Sequence, residues 1–153
     1  MKISQKILKH SINNLKGNEI KMEIKIYTDG ACAGNPGPMG IGAIILQENS
    51  EKTISKYIGH GTNNIAEISA VIEALKSINE IQNKNITVYT DSQLIVGYLN
   101  SGWKVNKNIE LVNEMKNLTK KCGKFKIVKV KGHSNNKYNN IADRLAIGAL
   151  KGM

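Results

Sequence analysis

Three features of this chain predict an α/β fold built on a five-stranded mixed sheet, three antiparallel strands plus two parallel ones, flanked by helices. Residues 23–60 read as three strands in succession, broken by turn chemistry. The remainder alternates helical and strand periodicity, giving the order βββαβααβα. Two of the strands close on the same tripeptide, Tyr-Thr-Asp, at residues 27–29 and 89–91.

The elements follow in order. Residues 1–21 place Ile3, Ile7, Leu8, Ile12 and Leu15 at helical spacing among lysines and stop at Gly17-Asn18. They read as a basic N-terminal extension, helical or disordered, ahead of a domain spanning 22–153. The extension is either an accessory contact to a polyanion or a dispensable tail. EIKIYTDG alternates β-branched and aromatic residues with polar ones, as a half-buried strand does. The turn-rich AGNPGPMG follows, then the strands IGAIILQ and KTISKYIGH. NNIAEISAVIEALKSINE switches to helical period, with Ile65, Ile68, Val71, Ile72, Leu75 and Ile78 on one stripe. NITVYT is a strand leading into Asp91 and the helix SQLIVGYLN; after Gly102, IELVNEMKNLTKKC is a basic helix, KFKIVKV the last strand and NNIADRLAIGAL the closing helix.

At 153 residues, 41% hydrophobic and 22% charged, the chain fits one globular domain able to bury a core. No apolar run approaches the roughly 20 residues that span a bilayer, and the N-terminus lacks a secretory pattern. A monomer in the cytoplasm, without membrane contact, is expected. Cys32 and Cys122 stand far apart with no metal-binding spacing, so both read as free thiols. The net charge of +10 points to a polyanionic partner. Almost all of it is lysine, Arg144 being the only arginine. Residues 104–137 hold ten Lys against Glu110 and Glu114, a local balance of +8, whereas residues 23–103 carry no such excess. One end of the fold is therefore expected to be basic.

Against this background the chain has only three aspartates, Asp29, Asp91 and Asp143. Asp29 and Asp91 close the first and fourth strands, and would sit side by side if those strands are parallel neighbours. Glu67 lies in the first turns of the first long helix and Asp143 near the start of the last, so four acids can converge on one edge. Two unit charges about 4 Å apart repel by about 4 kcal/mol at an effective dielectric near 20. Such a cluster needs protonation or cations. Oxygen-only donors suit hard divalent ions, and two such ions can stabilise both the attacking and leaving oxygens of a phosphodiester. Singly, each acid also has a plain reading: Asp29 before Gly30 as turn chemistry, Asp91 before Ser92 as a helix cap, Glu67 as a solvated charge, Asp143 as a partner for Arg144's surroundings.

TDGACAGNPG, TNNIAE, YTDSQL and VKGHSNN with IADRLA together resemble the four sequence blocks of type 1 ribonuclease H, in that family's order, across residues 22–150. The resemblance implies a ribonuclease H-like fold and endonucleolytic cleavage of the RNA strand of RNA/DNA hybrids, leaving 5′-phosphate and 3′-hydroxyl ends. It implies that Asp29, Glu67, Asp91 and Asp143 hold two Mg2+ ions, with Mn2+ a possible substitute. His133, in a Gly- and Asn-rich loop, matches a histidine that assists proton transfer or product departure, a task for a group titrating near neutrality. Asn35, Asn63, Asn64 and Gln93 match minor-groove contacts, Thr62 a DNA-phosphate contact, and Trp103 part of a DNA-strand channel, although a core or rim role suits Trp103 equally. Gly30 and Gly34 would let backbone approach nucleic acid closely; Asn-Asn and Gly-Asn-Pro are also ordinary capping and turn sequences. Between Asp91 and Trp103 there is no room for the basic helix that many members project over substrate, which resembles the handle-free branch. A noncatalytic nucleic-acid-binding domain and a DNA-acting nuclease are the alternatives on the same fold.

Overall fold

The structure is a computed structural model and describes residues 21–132 and 135–152. All but the last residue of the extension read over 1–21, and the placement of His133, lie outside the described residues.

Five strands, β1 (Met22–Cys32), β2 (Gly37–Gln47), β3 (Ser50–Gly61), β4 (Lys84–Thr90) and β5 (Lys124–Lys129), form one sheet in the order β3-β2-β1-β4-β5. β1 pairs antiparallel to β2, which pairs antiparallel to β3, while β1/β4 and β4/β5 are parallel. The helices are α1 (Asn63–Lys76) between β3 and β4, α2 (Gln93–Asn100) and α3 (Ile109–Lys121) between β4 and β5, and α4 (Lys137–Ala149) after β5. The expected mixed α/β sheet is the one observed.

Boundaries moved where capping or pairing overrode composition. Of the turn-rich stretch 33–40 only residues 33–36 turn; β2 already begins at Gly37, because Pro38 and His60 pair across the strands and the Pro38 carbonyl accepts from Ala33 N at 2.8 Å. Gly34 takes φ +96° in that turn, a conformation that side chains resist. α1 stops at Lys76 rather than Glu80, Ser77 closing it with its amide and hydroxyl on preceding carbonyls. α4 starts at Lys137, two residues early, since Asn136 Oδ1 accepts from the amides of Tyr138 (3.1 Å) and Asn139 (3.0 Å).

The two sheet faces are packed differently. On one, Ile24, Ile26, Ile45, Ile86, Val88 and Ile127 bury against α1 and its neighbours through Ile68, Val71, Leu75, Ile95, Val112 and Met115. Full burial of each such side chain contributes about 1.5–3 kcal/mol, which makes this the principal core. On the other face α4 lies across β2 and β1, its small Ala142, Ala146 and Ala149 against Gly40 and Gly42. A methyl at Gly42 would overlap the Ala142 carbonyl oxygen and the Ala146 amide. β5 forms an outer edge with Lys124, Lys126 and Lys129 exposed. Their charge discourages edge-to-edge pairing, and they form part of the expected basic end.

Gly42→Ala should destabilise the protein by roughly 1–3 kcal/mol, read as a melting temperature roughly 2–10 °C lower. Gly148→Ala, in the same helix with open space around it, should instead stabilise by about 0.5–1 kcal/mol. Equal melting temperatures for Gly42→Ala and the parent would mean that α4 does not rest on β2 as described.

Candidate active site

Register builds the site. The parallel pair β1/β4 sets Tyr27 opposite Tyr89, so the two Tyr-Thr-Asp segments run side by side. Thr28 and Thr90 are buried, and Tyr27 and Asp29, two residues apart on β1, point to the face that carries α4. β1 runs on past Asp29 to Cys32, whereas β4 stops at Thr90. Beyond that stop no strand separates the two faces, and carboxylates from both can meet.

Each neighbour is fixed by local chemistry. The Thr90 hydroxyl accepts from Ser92 N at 3.1 Å, shaping the turn that carries Asp91, and Ser92 Oγ accepts from Ile95 N at 3.3 Å. Ser92, not Asp91, therefore caps α2. Glu67 sits in the second turn of α1, whose N-cap is Thr62, its Oγ1 accepting from Ile65 N at 3.3 Å. Gly30 explains how α1 comes so close: a side chain there would overlap the backbone at Ala66 and Glu67. The demand for glycine at 30 thus comes from seating Glu67.

One oxygen from each of Asp29, Glu67 and Asp91 lies within 4.8 Å of the others. Asp143 stands outside that triad but hydrogen-bonds to Asp29. Asp29 is only 7% exposed. Burial, then the Asp91 charge, then the hydrogen bond to Asp143, push its carboxyl up to about 8. Glu67 is raised as well, chiefly by burial and then by Asp91, against hydrogen bonds from Ser92 and Asn63 that favour its charged form. These are acids held together against their own repulsion. The donor set is all oxygen, partly dehydrated and short of positive charge, which fits a hard divalent cation.

Of the remaining predicted residues, Thr62, Asn63, Asn64 and Gln93 lie at the starts of the helices that follow β3 and Asp91. Asn35 Oδ1 accepts from Asn63 N at 3.0 Å, tying the β1–β2 turn to the start of α1. Asn63 and Asn64 open α1, Gln93 opens α2, and all three are exposed. Trp103 is 43% exposed and lies on Gly97 of α2, where any side chain would overlap the indole, and its amide bonds to the Gly97 carbonyl at 3.1 Å. Sequence reasoning missed Ser92, Gly97 and Asn136, each of which positions a neighbour. A Ser and an Asn, each directly before a helix, were available cap signals. No helix lies between Asn100 and Ile109, as expected without a handle. A cavity of about 510 Å3 lined by Glu23, Asn85, Thr87, Lys124 and Lys126 lies at the amino-terminal end of the parallel strands, away from the acids.

Comparison with known proteins agrees with this geometry. The RNase H family model matches residues 21–151. The chain is 41% identical to a ribonuclease H of Acetivibrio thermocellus over 143 residues, covering 84% of this chain and 95% of that protein. It is likewise 41% identical to a ribonuclease H of Chlorobaculum parvum over 142 residues, with 84% and 95% covered. Among solved structures it is similar to RNase H1 from the halophilic archaeon Halobacterium salinarum, TM-score 0.76 at 29% identity, over 86% of this chain and 99% of that one. It is also similar to LC11-RNase H1 in complex with RNA/DNA hybrid, TM-score 0.65 at 30% identity, over 83% and 99%. With these matches and an acidic triad of buried Asp29 and half-buried Glu67 and Asp91, the chain belongs to the ribonuclease H family, as a type 1 ribonuclease H without the basic handle.

Proposed function

We propose that this chain cuts the RNA strand of RNA/DNA hybrids internally by a two-metal-ion hydrolysis that leaves 5′-phosphate and 3′-hydroxyl ends. The observation that carries the reading is the triad Asp29, Glu67 and Asp91 with oxygens within 4.8 Å of one another. Divalent ions, Mg2+ by preference and Mn2+ as a substitute, would supply charge neutralisation, an acidified water and stabilisation of the leaving oxygen.

The chain's own groups do the rest. Asp29, Glu67, Asp91 and Asp143 hold the cations, Asp29 from the centre of the cluster. His133 moves a proton or eases release of the product phosphate. Asn35, Asn63, Asn64 and Gln93 read the minor groove and its 2′-hydroxyls, with Gly30 and Gly34 in the adjoining backbone, while Thr62 and Trp103 contact the DNA strand. The hydrogen bond that uses Asn35 Oδ1 leaves its amide nitrogen as the group to offer, a donor suited to a 2′-oxygen or a base acceptor. The lysines of α3 and β5 lend long-range attraction. The catalytic unit is residues 22–153, acting as a cytoplasmic monomer with residues 1–21 as an appendage; among the described residues no helix is long and apolar enough to cross a membrane.

Matched hybrid, duplex RNA and duplex DNA incubated with Mg2+ or Mn2+ and resolved on a gel test the assignment. Cleavage confined to the RNA of the hybrid is expected; cleavage of duplex DNA, or binding without cleavage, would favour the alternatives. Asp91→Asn should lower kcat by more than the roughly 10–100-fold typical of losing an outer-shell partner, with hybrid binding retained. Wild-type-like turnover would remove Asp91 from the site.

Electrostatics gives a further expectation. The Asp29 carboxyl, about 8 in the folded metal-free protein, is raised above an unfolded value near 3.9. Its contribution to stability is therefore full below about pH 4 and lost as pH climbs toward 8. Cations relieve that loss. Mg2+ should raise the melting temperature more at pH 8 than at pH 5, measured by thermal denaturation; a shift independent of pH would contradict the proposed electrostatics.

A further inference from the structure

One rung below the acids, on the same sheet face, lies a cluster of tyrosines. The rings of Tyr27 and Tyr89, register partners on β1 and β4, stack with centroids 4.4 Å apart and planes 9° from parallel. Tyr138, from the first turn of α4, packs on Tyr27 at 5.3 Å and 38°. Each ring comes from an element that carries an acid: Tyr27 and Tyr89 precede Asp29 and Asp91 by two residues, and Tyr138 precedes Asp143 by five on the same helix. Asn136 closes the arrangement. Its Oδ1 accepts from the Tyr138 and Asn139 amides, and its side chain also hydrogen-bonds to Tyr27. The cluster is buried on its inner side with Ile44 and Ala142, while Tyr89 and Tyr138 remain half-buried.

We infer that Tyr27, Tyr89 and Tyr138 are positioning residues for the cations held by the acids above them. The inference rests on the metal reading of that cluster. β4 ends at Thr90, so past that point no ladder hydrogen bond resists the repulsion between Asp29 and Asp91. The stacked pair is the last cross-strand contact below the charges, and Tyr138 extends the same clamp to α4. Spreading the strands would pull apart a pair stacked at 4.4 Å and forfeit its ring–ring attraction. It therefore holds the carboxylates near the spacing a cation requires before any cation arrives, and the ion does not have to pull the strands together.

The sequence supplies the discriminating replacements. Leucine fills apolar volume without a ring; phenylalanine keeps the ring and drops only the hydroxyl. Mn2+ binding to substrate-free protein, followed by titration calorimetry, reads positioning directly. KM for hybrid serves as the companion measurement. Tyr89→Leu should weaken Mn2+ affinity by about 3- to 10-fold, the range that loss of a stacked pair corresponds to, with KM unchanged. Tyr89→Phe should stay within about twofold. Tyr138→Leu, at the half-buried margin of the stack, provides a second and milder break should Tyr89→Leu fold poorly, and should weaken Mn2+ binding in the same direction. If the leucine variants bind Mn2+ as the parent does and lose only melting temperature, the stack is core packing and the inference fails alone. If the parent takes up no Mn2+, the metal reading fails and takes this inference with it.

Discussion

Repulsion between carboxylates that the backbone forces together is the constraint around which this molecule is arranged. The parallel register of β1 and β4 pairs Tyr27 with Tyr89, two residues before each aspartate, and oxygens of Asp29 and Asp91 come within 4.8 Å of each other. Two helices then add acids from opposite faces. α1 brings Glu67 over Gly30, and α4 comes down on Gly40 and Gly42 carrying Asp143. Glycine at these three positions is the counterpart of aspartate at 29: it lets helix backbones approach the sheet closely enough for their carboxylates to reach the same edge. The hydrophobic core on the α1 face holds these elements in place against the repulsion, and burial of Asp29 heightens the demand for positive charge.

That demand is local, and the rest of the chain runs the other way. A net charge of +10 resides mainly on α3, β5 and the segments beside them. A polyanion is drawn to the molecule by its lysines, while phosphate is repelled by the bare acid cluster. On the proposed mechanism, cations would reconcile the two, converting an acidic edge into one that accepts a phosphodiester. Separating the charges in this way allows attraction at long range without neutralising the cluster by nearby lysine, which would occupy the space that ions need.

Much of this was legible in the sequence because it is written in local repetition. Tyr-Thr-Asp occurs twice, and in neighbouring parallel strands a repeated tripeptide places like beside like on each rung. The stripe from Ile65 to Leu75 announced α1, and Glu67 followed from it. The poorly legible features depended on partners distant in the chain. Gly37 and Pro38 read as turn by composition, yet pair with β3 because their partners are supplied by residues 60 and 61. Gly30 suggested backbone approach to nucleic acid, whereas its nearest neighbour is the backbone of α1. Gly97 gave no signal until Trp103 was seen lying on it. Asn136 was one of several asparagines in its stretch, and only the hydrogen bonds to Tyr138 and Asn139 single it out as the cap that starts α4 early.

The most direct measurement is the titration of Asp29 itself. With three aspartates in the chain, selective carboxyl-13C labelling and the variants Asp91→Asn and Asp143→Asn suffice to assign its resonance. Without divalent ions Asp29 should titrate near pH 8, and saturating Mg2+ should move that midpoint down as the cation replaces the proton. An Asp29 that titrates near 4 in the metal-free protein, or one whose midpoint Mg2+ leaves in place, would contradict a cluster of acids held together for cations.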